Sequence, residues 1–73
     1  MTLKQFRRKQ NITQDELAEV LRVSRITIAR IETGRTVAKT ELIERFMDHY
    51  DVPIEVAWTM FRQKNNKEEY DHE

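Results

Sequence analysis

Thr13 and Ser24 are two helix-start signals eleven residues apart, and so close a pair permits only two short helices joined by a tight turn. A short hydroxyl side chain accepts hydrogen bonds from the backbone N–H groups that a helix start leaves unpaired. Thr13 also has Glu16 three residues on, the spacing of a capping box. In the first segment Leu17, Ala18 and Leu21 fall at i, i+1 and i+4, and in the second Ile28 and Ile31 fall at i and i+3. Each helix is therefore expected to turn one apolar stripe inward. Arg25, Ile26, Thr27 and Arg30 are then left over near the start of the second helix. Polar and basic side chains on the free N-terminal face of a second helix are what reading base edges in a major groove requires.

Two small residues support the same geometry. Ala18 lies on the inner side of the first of these helices, where a Leu would force the crossing helix away. Gly34 directly follows the second helix, as expected for a left-handed C-cap, a conformation that costs a residue with a Cβ more than it costs Gly.

The stretches LKQFRRKQNITQDELAEVL, VSRITIARIETGR, ELIERFMDHY and DVPIEVAW, in this order from about Leu3 to Phe61, resemble the phage-repressor and Cro-like helix-turn-helix family, also called the xenobiotic-response-element type. The resemblance rests on Thr13-Gln14, Leu17-Ala18, Val23-Ser24, Ile28, Ile31-Glu32 and Gly34 together. It implies an all-α, lambda-repressor-like compact bundle of about five short helices. It also implies an ion pair between Arg7 and Glu32, the alternative being two solvated surface charges. If the pair is buried, loss of one partner would cost roughly 3 to 5 kcal/mol. The chain departs from the family at Arg22, where the turn between the motif helices usually has Gly. A non-Gly residue at positive φ there costs on the order of 1 kcal/mol. Ala38 and Thr40 stand where the family tends to have Pro and an apolar residue, so the loop before the fourth helix is less well defined.

A coarse pass along the chain gives a first helix over about 3–10, with Leu3 and Phe6 inward and Ile12 placed to staple onto the next helix. After the two motif helices, a fourth starts near Lys39 or Thr40, with Ile43, Phe46, Met47 and Tyr50 as its inner stripe. A fifth begins at Pro53, a favoured first helical residue, with Ile54, Ala57, Trp58 and Phe61 inward. Residues 1–62 thus form the helix-turn-helix domain, and 63–73, an acidic stretch without apolar periodicity, reads as a disordered tail. The fifth helix is more apolar than a small core requires. Val56 and Met60 lie off its inner stripe and are candidates for a dimer contact, with Leu42 as a second flank candidate. Trp58 reads as closing the core, and Met60 has that same alternative.

A chain of 73 residues forms one domain with a small core. Zero Cys and only two His leave no disulfide framework and no metal-ligand spacing. No apolar run approaches the ~18 to 20 residues that span a bilayer, and MTLKQFRRKQ lacks a signal-peptide stretch, so the expected location is cytoplasmic. The formal net charge of zero hides an asymmetry: residues 1–40 hold nine basic and four acidic side chains, residues 41–73 four basic and nine acidic. The motif lies in the +5 half, as expected if that half meets phosphate and the −5 half faces away. The alternative is an ordinary mixed surface.

Enzymatic chemistry finds no support. Ser24 is better explained as a helix cap than as a nucleophile, and His49 and His72 have no convergent carboxylates. With one Gly and one Pro there is no phosphate-cradling loop, so neither catalysis, cofactor, metal nor small-molecule substrate is expected. The expected function is sequence-specific binding of double-stranded DNA by a small phage or prokaryotic transcriptional regulator, as a homodimer on a palindromic operator. Arg25 and Arg30 are the candidates for guanine edges, Ile26 for a thymine methyl and Thr27 for base or phosphate. Gln14 resembles the family's phosphate anchor, and Ser24, Arg35, Thr36 and Lys39 are the further candidate phosphate contacts. Two alternatives remain: a helix-turn-helix module that binds another regulator protein, or the antitoxin of a two-gene module.

Overall fold

Each of the first three helices begins on a hydroxyl. In the computed structural model, which describes residues 1–62, these are α1 (Leu3–Lys9), α2 (Gln14–Leu21) and α3 (Arg25–Glu32), followed by α4 (Thr40–Tyr50) and α5 (Ile54–Arg62). Segment 63–73, expected as a tail, lies outside the described residues. Thr2, Thr13 and Ser24 are the N-caps, accepting from the N–H of Gln5, Glu16 and Thr27. Both threonine caps are reciprocal boxes, because Gln5 and Glu16 accept in turn from the cap N–H groups. The Thr2–Gln5 box has the same sequence signature as Thr13–Glu16, yet it was not among the expected features. Asp15 and Glu16 in the first turn of α2, and Arg7, Arg8 and Lys9 in the last turn of α1, also suit the helix dipoles.

The helix ends share one device. An N–H reaches back five residues at the ends of α1 to α4, from Ile12 to Arg7 (2.9 Å), Val23 to Ala18 (3.0 Å), Arg35 to Arg30 (2.8 Å) and Val52 to Met47 (3.2 Å). This is the Schellman closure, and it requires a left-handed residue just before the donor. Asn11 (φ 59°), Arg22 (φ 61°), Gly34 (φ 79°) and Asp51 (φ 55°) supply it. Arg22 thus adopts the left-handed conformation usually left to Gly, as expected from the turn position.

Phe46 is fully buried at the centre of the core, with ring centroids of Phe6 at 5.1 Å, Phe61 at 5.0 Å and Tyr50 at 5.2 Å. The Phe6 and Phe61 rings meet Phe46 edge-on and Tyr50 meets it tilted, and aromatic pairs of this kind add about 0.5 to 1.5 kcal/mol each beyond the burial itself. Leu17, Leu21, Ile28 and Ile43 complete the most enclosed layer. Burial pushes the Tyr50 hydroxyl pKa upward, and the Glu16 carboxylate acts in the same direction.

Three expectations are corrected here. Pro53 precedes α5 instead of opening it, its carbonyl accepting the Ala57 N–H at 2.9 Å. The buried face of α5 is Ala57, Met60 and Phe61, with Trp58 half-buried and Ile54 53 % exposed. Met60 therefore lies inside the domain and is not available on its flank. Helix α5 is apolar at two overlapping registers, and its crossing on α4, pinned by the Phe46–Phe61 contact, selects the one through Met60. Leu42 is likewise buried, because the inner stripe of α4 is wider than the i, i+3, i+4, i+7 pattern and takes in Leu42, Ile43 and Phe46. Of the three dimer candidates only Val56 is on the surface, joined there by Ile54.

Candidate nucleic-acid interface

Helix α3 divides its residues cleanly. Ile28, Ile31 and Glu32 are buried, whereas Arg25, Ile26 and Arg30 are exposed and Ala29 half-exposed between them. Arg25, Ile26, Ala29, Arg30, Thr33 and Arg35 border one shallow surface. Ala29 and Thr33 were missed, although the i+4 step from Arg25 to Ala29 to Thr33 carries them. The Thr33 hydroxyl donates to the Ala29 carbonyl at 3.0 Å and so is committed to the helix end. Ile26 is 58 % exposed, an aliphatic side chain with no core to fill.

Thr27 does not share this face. It is half-buried, its Oγ1 lies 3.0 Å from Ser24 Oγ, and it lines a groove with Thr36, Val37, Ala38, Lys39 and Leu42. Ser24 Oγ accepts the Thr27 N–H at 3.2 Å, so this hydroxyl is held by its cap role. Arg35, Thr36 and Lys39 are all exposed along the segment that follows α3. Lys39 is the N-cap of α4 without a side-chain capping bond, and Ala38 is buried beneath the loop. Val37, also missed, is 83 % exposed on the same segment.

A buried carboxylate fixes how α3 sits on the two preceding helices. Arg7 Nε donates to Glu32 Oε2 at 2.7 Å and Arg7 Nη2 to Oε1 at 3.3 Å, a two-pronged pair whose side chains are 12 % and 2 % exposed. Arg7 Nη1 donates to the Ile12 carbonyl at 3.0 Å, and Gln14 Nε2 donates to Glu32 Oε1 at 3.0 Å. One carboxylate thereby joins the end of α1, the start of α2 and the end of α3. Gln14 was expected as a phosphate anchor, but the structure places its amide nitrogen on Glu32. One of its two N–H donors is thus engaged, and the backbone N–H groups of Gln14 and Asp15 stand beside it in the first turn, where no intrahelical acceptor exists.

Beside that helix start lies an open cleft bordered by Lys4, Arg7, Arg8, Asn11, Thr13, Gln14, Asp15 and Arg25. Lys4 and Arg8 entered the sequence reading only through the charge count, because nothing local in MTLKQFRRKQ says which basic residues end up beside α2. Across the motif, Arg45 Nη1 donates to the Leu21 carbonyl at 3.0 Å and braces the end of α2 from α4.

Two short helices packed on each other across a tight turn, the second presenting an exposed basic face, define a helix-turn-helix protein. The match to a family model described as "Helix-turn-helix domain" covers residues 1–58, and the chain belongs to that family, a domain of DNA-binding type. No curated protein and no solved structure matches the chain. Among the described residues no helix is long and apolar enough to cross a membrane, and no group of three or more His, Cys, Asp or Glu is placed to hold a metal ion.

Proposed function

We propose that the protein is a phage-repressor or Cro-type transcriptional regulator that binds specific double-stranded DNA, as a dimer on a palindromic operator. The observation that carries this reading is the outer face of α3: Arg25, Ile26 and Arg30 are exposed around the small Ala29, with cationic residues on both sides of the motif. Arg25 and Arg30 read guanine edges, each bidentate contact contributing about 1 to 3 kcal/mol of discrimination, and Ile26 meets a thymine methyl. Phosphates are held on one side by the first-turn N–H groups of α2 with Arg8, and on the other by Arg35, Thr36 and Lys39. Two copies bring two recognition helices to half-sites roughly 34 Å apart, through an apolar contact at Ile54 and Val56.

Selection of binding sites from a random duplex pool tests the reading. The wild-type protein should yield a palindromic motif, and Arg25→Ala and Arg30→Ala should each flatten particular positions of it. Arg35→Ala should weaken all duplexes alike and make the log-affinity against log-salt slope shallower by about 0.9. Identical motifs from the wild type and both α3 variants would remove these arginines from the reading face.

The exposed Val37, Ile54 and Val56 favour a second reading, a module that binds another regulator protein. That reading predicts no motif from the random pool.

A further inference from the structure

The cleft beside the start of α2 is bordered by basic and neutral side chains with one exception. Asp15 is the one carboxylate among the described residues lining it. In a surface meant for phosphate, this charge repels the ligand, and the capping of α2 does not need it, since Thr13 and Glu16 already form the box. Its Oδ1 instead lies 3.5 Å from Arg25 Nε, both side chains being largely exposed at 80 % and 61 %. The contact is longer than a hydrogen bond, and in water an exposed pair of this kind is weak. Its direction is informative. A carboxylate nearest Nε sits on the side edge of the guanidinium, and the two terminal nitrogens make up the end-on fork that can grip two acceptors of one guanine. When duplex excludes water from this edge, the pair strengthens.

We infer that Asp15 is a positioning and specificity-determining residue: it steers Arg25 toward a base edge and repels the phosphate on which an unrestrained Arg25 would settle. This rests on the DNA-binding reading above. Asp15 thus lowers affinity for DNA in general and raises the preference for one base pair.

The test uses the full chain and the same random pool, with affinity for an unselected duplex measured alongside. In Asp15→Asn the unselected duplex should bind about 2- to 5-fold more tightly, through loss of one repulsive charge. The preference at the base pair identified by Arg25→Ala should fall about 3- to 10-fold, part of what a bidentate contact confers. Adding Asp15→Asn to Arg25→Ala should change that position no further. The melting temperature should fall only slightly, through loss of one first-turn charge on the α2 dipole, because the side chain is otherwise on the surface. A motif that survives Asp15→Asn intact, with only general affinity raised, overturns the positioning role and leaves the DNA-binding reading standing. A wild-type protein that selects no motif overturns both.

Discussion

The end of α3 differs from the ends of α1, α2 and α4, and the difference separates what holds the domain together from what it presents. At three ends the residue that closes the Schellman turn is apolar: Ile12, Val23 and Val52 are half-buried and packed on the core. The left-handed residue before each is not Gly, so a backbone cost at Asn11, Arg22 and Asp51 is offset by an apolar contact. At the end of α3 the left-handed residue is Gly34 and the closing residue is Arg35, which is exposed. Helix α3 is instead held from within, by the Glu32 carboxylate on Arg7 and Gln14. The lesson is that a helix can be anchored by a buried charge at its last turn while its terminus is left open on the surface.

The largest effect should come from that charge. Glu32→Ala leaves Arg7 partly buried without its partner and should cost about 3 to 5 kcal/mol, enough to unfold much of the protein. Urea titration followed by circular dichroism would measure it, and a loss below about 1 kcal/mol would mean that α3 is held by apolar contacts alone, like the others.

Truncation of the closing residues comes next. Val23→Ala and Val52→Ala should each cost about 1 kcal/mol, as expected for half-buried aliphatic groups. Arg35→Ala should leave stability within about 0.5 kcal/mol, since its side chain is exposed. Equal losses at all three positions would erase the distinction between closed and open ends.

The smallest effect tests the backbone. Arg22→Gly relieves a Cβ at φ 61° and should stabilise the domain by roughly 0.5 to 1 kcal/mol, visible as a raised melting temperature. The same substitution at Asp51 should yield less, because Asn and Asp tolerate the left-handed region better than Arg does. A melting temperature lowered by Arg22→Gly would show that the Arg22 side chain contributes more than its backbone conformation costs.

Much of the fold was legible in the sequence because its signals are local. Thr13 and Ser24 announce helix starts, and Leu17, Leu21, Ile28 and Ile31 repeat at helical spacing, so the motif follows from neighbours in the chain. The face of α5 was not legible. Ile54 and Met60 are both apolar, and the packing of α5 on Phe46 decides that Met60 goes in and Ile54 stays out. The same holds in the candidate interface. Exposure of Arg25, Ile26 and Arg30 follows from the stripe they do not belong to. The attachment of Gln14 to Glu32, by contrast, depends on two residues eighteen positions apart that meet only after the helices have packed.

Ala29 sets a distance. An α-helix with its side chains is about 10 to 12 Å across, close to the roughly 12 Å width of a major groove, so in the DNA-binding reading proposed above the depth to which α3 could sink is governed by the bulkiest side chain at the middle of its outer face. With a single methyl group there, that reading would let the helix axis come close to the floor of the groove, bringing Arg25 and Arg30, one turn before it and one residue after, within reach of the bases. Any longer residue at position 29 would act as a spacer, lifting both arginines together and, in that reading, turning the two proposed direct contacts into reaches across water.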